Sequence, residues 1–246
     1  MYHDVKLKDF EKFKRQILYL KQDGWSFLDP NKLNSKNISN LKGKNIILTF
    51  DDGFYSNKIL AEKILRPMGI KAIYFIPYNF MMISNKNQAL KFIKENLKIK
   101  NYKIENLPRL NLNLKDVLYL KKNKHSVGYH SKSHQKLNTL SSEFKLRHEI
   151  RLPGNSKFNR VIINQGFFSF PFGTAKEVNN HTIRIAKQNY KFIFLGIRGK
   201  NIKNNLDKKI IFRDNFLIEY NKKMCLSIIN GYFDFFYYFQ RKKLLN

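Results

Sequence analysis

Cysteine occurs once in the 246 residues, as Cys225, which excludes an intrachain disulfide and any zinc site built on several thiolates. A metal bound here has to be held by His and carboxylate. Acidic residues are scarce as well: 18 Asp and Glu stand against 47 Lys and Arg, a formal net charge of +29. Such an excess raises nucleic acid or an acidic membrane surface as a partner, because Lys and Arg displace counterions from phosphates. The lysines are spread along the whole chain among frequent Asn, Ile, Phe and Tyr, however, and no RNA-binding signature, zinc finger or Gly-rich phosphate loop accompanies them. The charge reads as compositional, and no nucleic acid is expected as partner. No apolar h-region follows Met1-Tyr2-His3-Asp4, so a signal peptide is not expected in this sequence. Near Leu226 to Phe239 the longest apolar stretch is broken by Asn230, Gly231 and Asp234, and it falls short of the roughly 18 residues of a spanning helix.

What is present is 43% apolar residues, enough for a substantial core, and the length suits one large α/β domain over residues 1–246. Leu7 to Gln22 carries Phe10, Phe13, Ile17, Leu18 and Leu20 at helical spacing and stops at Asp23-Gly24. Ile46 to Phe50 is a short β-branched run that ends in Asp51-Asp52-Gly53 and predicts a buried strand entering a functional turn. A helix over Ser56 to Leu65, a break at Pro67-Met68-Gly69 and a strand over Lys71 to Ile76 follow. Residues 78–113, rich in Asn and Lys, read as an insertion over one face with a short helix from Asn87 to Asn96. Beyond it, helices are expected over Leu114 to Lys122, Ser141 to Ile150 and Asn179 to Asn189. Strands are expected over Ser126 to Tyr129, Gly166 to Phe170, Phe192 to Ile197 and Lys209 to Phe212, and a helical extension over residues 216–246. This alternation predicts a (β/α) barrel with its site at the C-terminal strand ends.

Two local patterns carry chemistry. Asp51-Asp52 places adjacent carboxylates at the end of a buried strand, where their repulsion calls for a cation: one can ligate it while the other stays free to take a proton. An Asp-Gly turn with a solvated second Asp gives the same string. His130-Ser131-Lys132-Ser133-His134 sets two imidazoles four residues apart, on one face if the segment turns helically. Two His and one Asp supply three N/O ligands and leave a position open, as a catalytic zinc needs.

Thr49 to Gly53 resembles the first motif of the NodB-like polysaccharide deacetylases, carbohydrate esterase family four, and His130 to His134 resembles the second. Phe168-Ser169-Phe170-Pro171-Phe172-Gly173 is similar to the third motif, which lines the substrate groove. The approaches Lys44 to Phe50, Lys71 to Ile76 and His125 to Tyr129 are similar as well, so the resemblance runs from about Met1 to Arg213. It implies an α/β fold, a distorted, seven-stranded (β/α) barrel. It also implies that Asp52, His130 and His134 hold a divalent metal, zinc first with cobalt, nickel or iron also compatible. Asp51 then activates water as general base, and the Phe172 N–H, beside Pro171, meets the oxyanion.

Two positions depart from the family's pattern. The third-motif Arg that orients the base is replaced by Ser169, for which Arg198 or Arg213 are candidate substitutes just after late strands. A C-terminal Leu-x-His acid is missing, since the last histidine is His181. Met1-Tyr2-His3-Asp4-Val5 resembles instead the Tyr-His-x-Val opening of a subgroup that includes poly-N-acetylglucosamine deacetylases, which implies His3 as the acid. The activity implied is removal of N-acetyl groups from amino sugars of a surface polysaccharide or its precursor. Alternatives are a catalytically impaired carbohydrate-binding protein on this fold and a deformylase of a lipid-linked amino sugar. Met1 stands where that subgroup has the end of its first strand, so localisation is cytoplasmic for the sequence as it stands and periplasmic or cell-envelope for a longer chain. His125 and Trp25 read as core, His148 and His181 as surface or helix-start residues. The aromatic run Phe233 to Phe239 with Arg241-Lys242-Lys243 reads as a terminal helix packed on the barrel or as a contact with a membrane surface.

Overall fold

The strands of this chain are short and apolar on both faces, as a parallel sheet covered by helices requires. The computed structural model describes residues 1–33, 41–154, 158–160 and 166–245. Two short strands, Ser26–Phe27 (β1) and Asn45–Ile46 (β2), pair in parallel with each other. The main sheet is formed by Leu48–Phe50 (β3), Ala72–Ile76 (β4), Ser126–Tyr129 (β5), Phe167–Ser169 (β6), Phe192–Leu195 (β7) and Ile210–Phe212 (β8). All its pairs are parallel and its spatial order is the chain order β3-β4-β5-β6-β7-β8, the order of a sheet curling into a barrel. The N-terminal residues stand at the gap. Tyr2 bridges Phe50, with Tyr2 N–H donating to Thr49 O and Asp51 N–H to Tyr2 O, both at 2.9 Å; on the other side Phe216 N–H donates to Met1 O at 2.9 Å. Six strands and this seventh stave make the distorted (β/α) barrel that the sequence predicts.

Alternation along each strand divides the core in two. Ala72, Tyr74 and Ile76 join the large outer cluster under the helices, whereas Ile73 and Phe75 belong to an inner cluster with Phe167, Phe192, Phe194 and Ile211. Gly128 is required inside the barrel, since a Cβ there would stand 2.4 Å from the Phe75 ring. Continuing the inner parity beyond the strand ends gives Thr49 and Asp51, His130, Ser169, and Arg213. One layer of polar side chains therefore caps the apolar barrel interior at its C-terminal end.

Helices cover the outside: Phe10–Gln22 (α1), Tyr55–Leu60 (α2, continued by a π turn Ala61–Leu65), Tyr78–Met82 (α3), Lys86–Glu95 (α4), Leu114–Lys122 (α5), Glu143–Ile150 (α6), Asn180–Lys187 (α7), Lys203–Asp207 (α8), Lys222–Ile229 (α9) and Tyr238–Leu245 (α10). The segment read as an insertion carries α3 and α4, and it builds a small core of Phe54, Phe80, Ala89, Phe92, Ile93, Leu97 and Leu110. Asn85 caps α4 by accepting from Asn87 and Gln88 N–H. Its last turn ends at Asn96, directly over the C-terminal end of the barrel.

Candidate active site

Asp51 leaves β3 pointing inward and is almost fully buried, at 2% exposure. Arg213, just past β8, grips it with both prongs: Nη1 donates to Oδ1 at 2.7 Å and Nη2 to Oδ2 at 2.8 Å. Nη2 also donates to Ser169 Oγ at 2.7 Å, and that hydroxyl donates to Asp51 Oδ2 at 3.1 Å. The guanidinium lies over the Phe75 ring, 5.2 Å from its centroid. Burial pushes the Asp51 carboxyl up, but the charges of Arg213 and His130 and the Arg213 hydrogen bonds outweigh it and hold the group at about 2. A carboxylate in this position is ionised and fixed in one orientation. Of the two arginines singled out in the sequence, only Arg213 meets Asp51. Arg198 instead faces Asp214 at 3.6 Å and donates to Asn215 O at 3.2 Å.

Asp52 turns the other way because its backbone is left-handed, with φ 71°. Its Oδ1 lies 3.2 Å from His134 Nε2 and 3.4 Å from His130 Nε2. Each imidazole is oriented from behind: His130 Nδ1 is 2.8 Å from Ser169 O, and His134 Nδ1 is 3.1 Å from Asn96 O. A carbonyl can only accept, so both Nδ1 atoms carry a proton, which leaves each Nε2 as the atom that would ligate an ion once its own proton has gone. Two imidazole nitrogens and a carboxylate oxygen thus face one another, all three lying within 4.8 Å of one another. Donors on a tetrahedral ion with bonds of about 2.0–2.1 Å stand about 3.3–3.4 Å apart, close to the spacings found here. The donor set, two imidazole nitrogens and one carboxylate without thiolate, fits a first-row divalent cation. Burial raises the Asp52 carboxyl, and hydrogen bonds from both histidines bring it well below the usual range.

The histidine loop is held from below. Buried Glu149 accepts from Ser133 N–H at 2.9 Å and from its hydroxyl at 2.5 Å, while Lys132 N–H donates to the Glu149 carbonyl at 3.0 Å. Asp52, Ser131, His134 and Phe172 all have φ between 59° and 71°, four left-handed non-glycine residues gathered at one place. Such backbone persists where the surroundings over-determine it, and it is frequent at functional sites.

His3, Asp51, Asp52, His130, His134, Phe172, Arg213, Leu97 and Ile99 line one cavity of about 210 Å³. His3 therefore reaches the site, its carbonyl pinned by Asn57 Nδ2 at 2.9 Å. The neighbouring Asp4 is engaged by Tyr102, Ser56 and Lys6, and a positive charge on His3 would lower the Asp51 and Asp52 carboxyls. Pro171 is buried, and the Phe172 ring packs edge-on against His134 at 4.8 Å. Among the described residues no protein acceptor takes the Phe172 N–H. His125 is a core residue whose Nδ1 accepts from Ala72 N–H at 3.2 Å. His148 and His181 are exposed, Trp25 is half-buried, and Cys225 is packed away with its thiol pushed up to about 11 by burial. The Asn96 carbonyl, Glu149 and the wall of Leu97 and Ile99 escape a sequence reading that looks only at motifs.

The family profile described as polysaccharide deacetylase matches residues 39–191, more than half of the chain. No curated protein matches with significance. Among solved structures the fold is similar to the Streptococcus pyogenes deacetylase PplD solved with acetate, at 20% identity and a TM-score of 0.66 over 93% of this chain and 94% of that one. It is also similar to a de-N-acetylase from Aggregatibacter actinomycetemcomitans (15% identity, TM-score 0.63, 88% and 87% covered) and to IcaB from Ammonifex degensii (18%, 0.55, 85% and 84%). The profile match and the fold lead to the same place: this chain belongs to the polysaccharide deacetylase family.

Proposed function

We propose that the protein is a metal-dependent N-deacetylase that hydrolyses N-acetyl groups on amino sugars of a surface polysaccharide or its precursor. The observation that carries this reading is the pairing of two carboxylates with opposite surroundings. Asp52 faces two imidazole Nε2 atoms, and Asp51, its neighbour, is clamped by Arg213 and turned toward the same cavity. Asp52, His130 and His134 would hold the ion, zinc by preference, which when bound acidifies water and polarises the amide carbonyl. Asp51 receives the proton of the attacking water. Its low basicity is the consequence of the Arg213 clamp, which in return keeps it ionised and aimed. The Phe172 N–H is a free donor for the oxyanion at the cavity wall. His3 lies in the same cavity and supplies the proton that the leaving amine needs.

Ser169 does not mark decayed catalysis on this reading, because Arg213 supplies from β8 the contact that the third motif lacks. The apolar wall of Leu97 and Ile99 suits a small acyl group. Acetate release from N-acetylglucosamine oligomers, followed with and without chelator, tests the proposal. Release should stop on chelation and return with added divalent zinc or cobalt. Chelator-insensitive release, or release of formate from an N-formyl analogue in preference to acetate, would overturn it.

A further inference from the structure

The C-terminal segment has two faces of different character. On one, Phe233 and Tyr237 pack on the main core and Leu244 is buried. On the other, Tyr232, Phe235, Phe236 and Phe239 make an exposed aromatic stripe that runs from the turn before Asp234–Tyr237, a 3₁₀ turn, into α10. Their exposures are 76%, 79%, 72% and 76%. Four aromatic rings facing water within eight residues cost free energy in the isolated chain and are not explained by the fold. Nor is the stripe a loose end. Arg241 Nη1 donates to Arg198 O at 2.5 Å and to Asp234 O at 3.0 Å, and Lys200 N–H donates to Asp234 Oδ2 at 2.9 Å. Two of these bonds tie the stripe to the loop that leaves β7, at the barrel end that carries the candidate active site.

Charge decides what can cover it. Exposed Lys222, Lys223, Lys242 and Lys243 lie in the same segment, which from Lys222 to Leu245 has one acidic residue, Asp234, already engaged. A second copy of a chain of net charge +29 would bring like charges together around the rings. An apolar protein groove would strip water from the lysines without compensation. An anionic lipid surface satisfies both halves: rings enter the headgroup boundary without needing a shaped partner, and the ammonium groups stay among phosphates. No helix among the described residues is long and apolar enough to cross a membrane, so the contact is a peripheral one.

We propose that the outer face formed by Tyr232, Phe235, Phe236 and Phe239, with its flanking lysines, docks on anionic membrane surfaces. The inference stands apart from the proposed activity, and its test reads no turnover. The full chain is sedimented with phosphatidylcholine vesicles containing about 30% phosphatidylserine, and with neutral ones, at about 0.15 M and about 0.5 M salt. Charge alone gives binding that disappears in high salt and ignores the rings. Ring insertion gives binding to the anionic vesicles that persists, and the triple variant Phe235→Ser, Phe236→Ser, Phe239→Ser then lowers high-salt partitioning about 100-fold. These positions are exposed, so the variant should melt with the parent chain. Release of the parent chain at high salt, unchanged partitioning of the variant, or a dimer that the variant dissolves in the absence of lipid would each overturn the proposal.

Discussion

Arg213→Met is the most informative single change, because it removes a charge without removing volume. In the folded protein Arg213 is 6% exposed and satisfies both oxygens of Asp51, at 2.7 and 2.8 Å, as well as Ser169 Oγ. The variant leaves Asp51 buried beside a second carboxylate, with the Ser169 hydroxyl as its side-chain hydrogen-bond donor and His130 Nε2 3.7 Å away. Breaking a buried pair from one side costs about 3–5 kcal/mol. In a chain of this size about 1 kcal/mol moves the melting temperature by about 2–4 °C, so a fall of roughly 6–20 °C is expected. Arg213→Lys keeps the charge but presents one compact donor to a site that uses a fork, and should fall between the two. The assay is thermal and urea unfolding of the chelated protein, set out as a double-mutant cycle with Asp51→Asn. Neutralising both partners should recover part of the loss, a coupling of about 1–3 kcal/mol. Melting of Arg213→Met within about 2 °C of the parent chain, or strictly additive costs, would refute the argument that this pair fixes the base.

Three further outcomes follow from the same geometry. His3→Ala should lower acetate release about 10²–10⁴-fold while metal content stays constant, the usual worth of a general acid; an unimpaired variant removes His3 from the mechanism. Glu149→Ala leaves the Ser133 N–H and hydroxyl without their acceptor and frees the loop carrying His134, so metal affinity measured against a chromophoric chelator should fall about 10–100-fold. Equal affinity would show that Asn96 alone positions the ring. Burial lowers the His125 imidazole from 6.5 to about 4, so the unfolded chain binds its proton first as pH falls. Stability from this residue is intact above pH 6.5 and declines through the window down to about 4, by up to about 3 kcal/mol. Urea unfolding of His125→Gln should therefore depend less steeply on pH between these limits, and an identical slope would contradict the reading.

The barrel was legible because most strands of the main sheet are short, largely apolar runs bounded by turn residues, and Ala72–Ile76 and Phe192–Leu195 fall where those runs do. The two-residue strands Ser26–Phe27 and Asn45–Ile46 carry too little pattern to be read, and α3 and α8 are only five residues each. Asp51, Asp52, His130 and His134 stand out as local strings. The Ser169–Arg213 exchange does not, since it joins residues 44 apart on non-adjacent strands. Strand parity was the available signal: Ser169 shares the inner face with Phe167, and Arg213 with Ile211, which puts both in the layer of Asp51; Arg198 has the parity of Phe194 too, but stands three residues past the end of β7, whereas Arg213 directly follows β8. The Asn96 carbonyl is a different case. It acts through the backbone of a helix terminus that folds over the site from 38 residues away, and no side-chain motif announces such a contact. The aromatic run near the C-terminus proved to pack with one face and to expose the other, an outcome that depends on where the last helix lands on the barrel.

The division of labour between Asp52 as ligand and Asp51 as base is the centre of this account. It is tested most directly by measuring metal content and acetate release together on Asp51→Asn. Metal should be bound as in the parent chain with turnover lost, because Asp52, His130 and His134 remain in place while the proton acceptor does not. Normal turnover by that variant, or loss of its metal, would contradict the assignment.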